Sequence, residues 1–211
     1  AVNLHTLDRA KVVHEGDMLF LYNSVIKVPA MGQAHAQMRC PVHADITITS
    51  VQSHMHARGI AFSAAVMGST PFYENDRWED VPAKRFEPGL QVAAGSVLEH
   101  RCDYQNGEPR DVYQGTRSTD EMCILIGSYY PAYPGTGECE DENGFWSGEW
   151  VGSGTQSCAQ TRACLDDASG VADPLARSEV FQAFSGSEEH FGQRFLSLPR
   201  LEYIPLDNCI V

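Results

Sequence analysis

The chain has 211 residues, 43% of them hydrophobic, which is enough for one complete hydrophobic core with a smaller appended segment. Its formal net charge of −13 at pH 7 makes nucleic acid and anionic lipid surfaces unfavourable partners, because both repel an acidic protein. No apolar run approaches the roughly twenty residues that a bilayer span needs, so we predict no membrane span.

Short β-rich segments separated by turn residues follow one another from the start of the chain to about residue 130. The predicted strands, in chain order, are residues 2–6, 18–22, 25–28, 46–56, 59–67, 90–93, 96–104, 112–115 and 122–129. Short strands at regular spacing are typical of an all-β protein, an antiparallel β-sandwich or jelly roll. No long amphipathic helix lies between them, so a parallel βαβ sheet is not expected.

The composition changes after Tyr133. A stretch containing glycine, acidic residues and cysteine runs to about Gly154, and two short helices are predicted at 157–167 and 173–184. The segment has too few large apolar residues for a core of its own. We therefore predict a β-sandwich domain over residues 1–135 and a short, partly helical extension over 136–211 that packs on it.

The seven cysteines are many for a cytosolic protein of this size and indicate an oxidising compartment, so we expect a secreted or periplasmic protein. An odd number leaves at least one thiol free or paired outside the chain. A few buried free thiols are the alternative. The first residues lack the basic start and apolar middle of a signal peptide. Either an export signal has been removed, or the chain is a piece of something longer.

Two histidines one residue apart end the fourth predicted strand. Because side chains alternate along a strand, His54 and His56 project from one face. The same alternation places Ile46 and Ile48 on that face and directs Met55 to the core. A His-x-His pair is a weak signal by itself, since eight histidines can produce one by chance.

Met122 starts a later strand and is followed by Cys123. Alone it would be interpreted as a core residue, because Ile124 and Ile126 share its face. Combined with two imidazoles, however, a thioether completes a set of nitrogen and soft-sulfur ligands that suits copper, especially Cu(I), better than zinc or a hard cation. The residues therefore predict a redox copper site.

Three segments in matching order and spacing resemble a known family. They are SHMHARG at 53–59, AGSVLEHRC at 94–102 and DEMC at 120–123, followed by YYP at 129–131. Together they resemble the C-terminal catalytic domain of the copper type II, ascorbate-dependent monooxygenases. That family includes peptidylglycine α-hydroxylating monooxygenase and dopamine β-monooxygenase, and the resemblance covers about residues 15–133.

The resemblance implies a jelly-roll domain in which His54, His56 and Met122 bind copper and carry catalysis. Family enzymes bind O2 at reduced copper and hydroxylate a nearby C–H bond, using ascorbate or another reductant. A small-molecule or peptide-like substrate is implied for this chain.

The resemblance also implies two disulfide bonds. Cys102 and Cys123 match one family disulfide. Cys40 matches a second family cysteine whose partner lies after residue 133, with Cys139 as the candidate.

The departures from the family limit what the resemblance implies. Family enzymes hold a second copper with three histidines in a preceding homologous domain, but no His-His pair occurs here. The chain is therefore either the C-terminal half of an enzyme with an upstream copper domain, or a natural one-copper relative. Peptide-amidating members have an arginine where Gln52 lies and a tyrosine where Ile126 lies. An uncharged or more apolar substrate is thus easier to accommodate than peptidyl-glycine.

Two non-enzymatic alternatives remain. The first is a secreted copper-binding or interaction module that kept the fold and lost the chemistry, which the missing electron-supplying site and both substituted substrate positions favour. The second is a disulfide-braced adhesion domain without metal.

The other polar groups are expected to be structural or solvent-exposed rather than functional. His35 and His43 flank Cys40 and could form a second metal set with it, although a surface loop beside a disulfide is preferred. His100 could hydrogen-bond near the copper site, although an exposed strand histidine is the default. The acidic pair at 120–121 is interpreted as a solvated turn rather than as catalytic acids.

Overall fold

The computed structural model describes residues 6–23, 26–115, 117–133, 135–140 and 147–153. The predicted helices at 157–167 and 173–184 lie outside the described residues, as do three cysteines, Cys158, Cys164 and Cys209. The boundary between the β-domain and the extension therefore stays a prediction.

In the described residues the backbone forms eleven strands: β1 (Asp17–Asn23), β2 (Lys27–Val28), β3 (Gln33–Pro41), β4 (Ile46–Met55), β5 (Gly59–Val66), β6 (Tyr73–Asn75), β7 (Lys84–Val92), β8 (Val97–Gln105), β9 (Val112–Tyr113), β10 (Cys123–Tyr130) and β11 (Glu149–Val151). Two 3-10 turns, Arg9–Lys11 and Thr136–Glu138, are the helical elements of this part of the chain. None of its helices has the length and hydropathy required to cross a membrane.

Two antiparallel sheets form the sandwich. One has four strands in the order β1-β10-β4-β7, and the other has five in the order β11-β3-β8-β5-β6. β2 and β9 form a separate two-stranded ribbon, and its Val28 and Val112 belong to the same core. Apolar side chains from both sheets form one core, including Leu19, Leu21, Met38, Ile48, Leu98 and Leu125. The all-β sandwich prediction is confirmed, whereas the jelly-roll connectivity stays a prediction.

Strand β3 is absent from the strands predicted from the sequence. Its buried positions are occupied by Ala34, Ala36, Met38 and Cys40, and alanine is depleted in strands. The alternation is clear in the burial pattern, but small inward side chains made it weak in the sequence. His35 consequently lies in a strand, not in the predicted surface loop.

Strand β7 begins before the predicted strand at 90–93 and runs through Pro88 and Gly89. Proline is tolerated because β7 is an edge strand of its sheet, where one row of backbone groups has no ladder partner. Gly89 lies so close to Thr47 that an added Cβ would be 2.3 Å from its Cγ2 atom. A glycine is therefore required at this approach.

A β-bulge changes the phase of β4. The ladders to β10 and β7 both skip Thr49, because Ile48 and Ser50 are consecutive partners in each. Ile46 and Ile48 are buried before the bulge, whereas Val51 and Met55 are buried after it. The prediction that the two isoleucines share a face with the histidines was therefore wrong. The extra residue of a bulge reverses the alternation.

Two disulfide bonds join parts of the sandwich. Cys102 on β8 bonds Cys123 on β10, with their Cα atoms 5.9 Å apart, so this bond links the two sheets. Cys40 bonds Cys139, with a Cα separation of 5.5 Å. Both pairs that the resemblance implied are present, which fits an oxidising compartment.

Candidate metal centre

The two candidate histidines lie where β4 leaves its sheet. His54 is the penultimate residue of β4, and His56 follows the strand by one position. Both side chains are half-buried, whereas Met55 between them is in the core as predicted. The ring centroids are 5.3 Å apart and the rings meet edge to face, at 83°. The strand therefore brings both imidazoles to one face, as the alternation predicted.

The hydrogen bond of His56 fixes which of its nitrogens can bind a metal. Nδ1 lies 2.9 Å from the backbone carbonyl oxygen of Asp120. A carbonyl oxygen only accepts hydrogen bonds, so Nδ1 carries the proton and donates it. The Nε2 lone pair is then left available, which is the arrangement typical of metal-bound histidines.

His54 is also held in the form that binds metals. Burial lowers its pKa below the ordinary histidine value, and the neighbouring charge of protonated His56 lowers it further. A lowered pKa means that the neutral imidazole persists to lower pH. A metal therefore displaces little or no proton from His54 at neutral pH.

Met122 is brought to the same end of the sheet by the pairing of β10 with β4. Ile124 pairs with His54 and Cys123 pairs with Met55. The next residues along β10 and β4 in that direction are Met122 and His56. The side chain of Met122 is half-buried. Its carbonyl oxygen accepts a hydrogen bond of 3.0 Å from the Tyr104 hydroxyl, and its neighbour Cys123 is fixed by the disulfide.

Glu121 is a residue of this site that the sequence pattern did not indicate. Its side chain is fully buried, so the prediction of a solvated turn was wrong for this residue. One carboxylate oxygen accepts the backbone N–H of His56 at 3.1 Å and the other accepts that of Arg58 at 2.8 Å. Burial raises its pKa, and the two N–H donors partly oppose this. Its position immediately before Met122 was the one available signal.

The donor set is mixed in this part of the molecule. Within the described residues, no group of three or more His, Cys, Asp or Glu side chains is arranged to hold a metal. A zinc-type or hard-cation cluster is thus not found there. His54, His56 and Met122 offer two nitrogens and one thioether, which fit copper better than either.

A comparison with protein families identifies the family to which the chain belongs. The family described as copper type II ascorbate-dependent monooxygenase, C-terminal domain, matches residues 16–143, more than half of the chain. The chain belongs to this family. The resemblance seen in the three motifs is confirmed, and the family links the fold to copper and to monooxygenase chemistry. No curated protein matches the chain.

The second histidine group of this monooxygenase-family domain has other partners. His35 Nδ1 lies 3.0 Å from the Ser153 hydroxyl, and His43 Nε2 lies 3.2 Å from the Ser147 hydroxyl. Cys40 is in a disulfide. The preferred interpretation, a surface loop beside a disulfide, is right about the disulfide and wrong about His35, which lies in β3.

His100 is buried in the core of this domain, so the expected exposed strand histidine was wrong. Its side chain is 1% exposed and stacks on Phe62, with centroids 5.7 Å apart at 16°. Neither ring nitrogen makes a well-formed hydrogen bond. Burial lowers its pKa to about 4, despite a smaller opposing effect of the Cys123 backbone. It packs in the core against Phe62, and its ring makes no well-formed hydrogen bond to the candidate metal centre.

Proposed function

We propose that the chain is the mononuclear copper domain of a monooxygenase, with His54, His56 and Met122 as copper ligands and catalytic residues. The observation that carries the proposal is the hydrogen bond from His56 Nδ1 to the Asp120 carbonyl. It directs Nε2 away from the protein backbone while His54 lies on the same face. We place the domain in a secreted or periplasmic compartment, since the disulfides fit oxidising conditions.

The protein residues supply geometry and a preference between oxidation states. Two neutral imidazoles bind either oxidation state of copper, whereas the soft thioether of Met122 favours Cu(I). Three protein ligands leave a coordination position open. When bound, copper would supply the reduction of O2 and the hydroxylation of a C–H bond, with ascorbate or another reductant as electron source.

The second electron needs a source beyond the three ligands. Relatives use a three-histidine copper domain, and this sequence contains no adjacent histidine pair. We propose that an upstream homologous domain or a small reductant fills this role.

The sheet face beside His54 favours a neutral, apolar substrate. Phe20 and Gln52 flank Ile126 in the ladder, and in the next row Ile124 lies between Tyr22 and His54, so these two rows share one face of the sheet. Neither row carries a charged side chain apart from the titratable His54 and Tyr22. A carboxylate or ammonium buried there would lose its hydration without gaining an ion-pair partner. The negative net charge further disfavours anionic substrates.

We expect the copper-loaded chain to hydroxylate a neutral probe with hydrogen peroxide as oxidant, which supplies the oxygen atom and both electrons without a second copper. The probes are ethylbenzene, 4-ethylbenzoate and 4-ethylbenzylamine, with products measured by mass spectrometry. Ethylbenzene should give the most product. Met122→Ile should lower its conversion by about tenfold or more, since even an outer partner of a metal ligand typically changes activity 10–100-fold.

The control is His43→Ala, which removes an exposed histidine outside the proposed site and should leave conversion unchanged. Full copper loading without product above that of the copper-free chain would contradict the enzymatic proposal. That outcome favours the second candidate, a copper-binding module, which the substituted substrate positions Gln52 and Ile126 support.

A further inference from the structure

Arg58 is a buried cation two residues after His56, in the turn between β4 and β5. Its side chain is 11% exposed and its guanidinium lies 3.6 Å from the buried carboxylate of Glu121. A second ion pair joins it to Glu108. Arginine is rarely buried without compensating charges, and these two carboxylates provide them.

Arg58 and His56 share the same two partners. Glu121 accepts the backbone N–H groups of both residues. The Asp120 carbonyl accepts His56 Nδ1–H at 2.9 Å and lies 3.5 Å from a terminal nitrogen of Arg58. The same nitrogen lies 3.5 Å from the Ser118 carbonyl. The guanidinium therefore lies against the chain segment that orients the His56 ring.

Stability alone does not explain a buried arginine here. Its Nε–H is buried and has no hydrogen-bond acceptor among the described residues, and an unsatisfied buried donor is destabilising. A buried ion pair is often no more stabilising than an apolar replacement of the same volume. What the pair does provide is a fixed geometry between the turn at Arg58 and the segment that ends at Glu121.

We propose that Arg58 is a positioning residue that, with Glu121, holds the Asp120 carbonyl against His56 and fixes the Nδ1–H tautomer. Nε2 is thereby presented to the metal. The contribution of Arg58 to copper binding rests on the proposed role of His56 as a copper ligand. The tautomer of His56 is itself a property of the metal-free chain.

Nitrogen NMR of the metal-free chain at pH 8, above the ordinary histidine pKa, tests the proposal. His56 should be a single Nδ1–H tautomer in the unmodified chain. In Arg58→Met the segment from Ser118 to Glu121 loses the guanidinium that contacts it. His56 should then become a mixture of both tautomers, as neutral histidine is in water. Copper affinity should fall by about tenfold, the usual cost of losing a partner of a metal ligand.

Arg110→Met is the matched control. Arg110 also pairs with Glu108, at 2.8 Å, and donates to the Thr119 carbonyl at 2.9 Å. It thus binds the same loop, but none of its contacts is to Asp120 or Glu121 among those described. The tautomer and the copper affinity should both stay as in the unmodified chain.

If Arg58→Met does not fold, the double variant Arg58→Met/Glu121→Gln removes both charges and avoids an unpaired buried carboxylate. It should fold and show mixed tautomers. A pure Nδ1–H tautomer in the variant that folds, or mixed tautomers with unchanged copper affinity, would overturn the proposal. Absence of copper binding by the unmodified chain, with the tautomer change still observed, would overturn the copper function and leave the positioning role intact.

Discussion

Replacing His56 with alanine is expected to lower the copper affinity of the chain by at least about a hundredfold. Losing an outer partner of a metal ligand already costs 10–100-fold, and this change removes one of two proposed imidazole ligands. The loss should hold for both oxidation states, because imidazole binds each of them. Competitive titration against a chelator, with and without ascorbate under argon, measures the affinity of Cu(I) and Cu(II).

The matched control is again His43→Ala, at an exposed position where the ring bonds only Ser147 among the described contacts. Its affinity should be that of the unmodified chain. Equal affinities in His56→Ala and His43→Ala would mean that copper binds elsewhere.

Burial of His100 is expected to lower the stability of the folded chain as the pH falls. In the folded chain its pKa is lowered to about 4 from the ordinary 6.5, because burial disfavours the charged ring. The unfolded chain therefore binds more protons between these two values. Neutral His100 makes its full contribution to the free energy of unfolding above pH 6.5. This contribution declines as the pH falls towards 4.

The decline approaches about 1.4 kcal/mol per pH unit and totals about 3 kcal/mol. His100→Phe removes the titrating group while keeping an aromatic ring stacked on Phe62. Urea unfolding of the metal-free chain with both disulfides intact, at pH 7, 6, 5 and 4, gives the free energies.

The difference in stability between the unmodified chain and His100→Phe should shift in favour of the variant by about 3 kcal/mol from pH 7 to pH 4. Acidic groups common to both proteins cancel in this comparison. A difference that does not change with pH would show that His100 is not buried as a neutral ring.

The elements of the site that follow from alternation could be predicted from the sequence. His54 and His56 share a face because only one residue separates them, and the ladder has no register change from Ser50 to Met55. Met122 reaches the same end because its strand pairs with β4 in an antiparallel ladder. The motifs surrounding these three residues then identified the family.

The parts that failed depend on tertiary structure. The bulge at Thr49 reverses the alternation of β4, and no local signal in the sequence marks the skipped residue. Glu121 is buried because the turn after β4, which is distant in sequence, brings Arg58 and two backbone N–H donors to it. His100 is buried because both sheets close over the inner face of β8. None of these could be inferred from composition or spacing.

X-ray absorption at the copper edge of the Cu(I)-loaded chain tests the central claim most directly. We predict a coordination shell with two imidazole nitrogens and one sulfur. The sulfur should disappear in Met122→Ile and persist in Met31→Ile, whose side chain is 69% exposed. A shell without sulfur in the unmodified chain, or one that keeps its sulfur in Met122→Ile, would contradict a copper site built from His54, His56 and Met122.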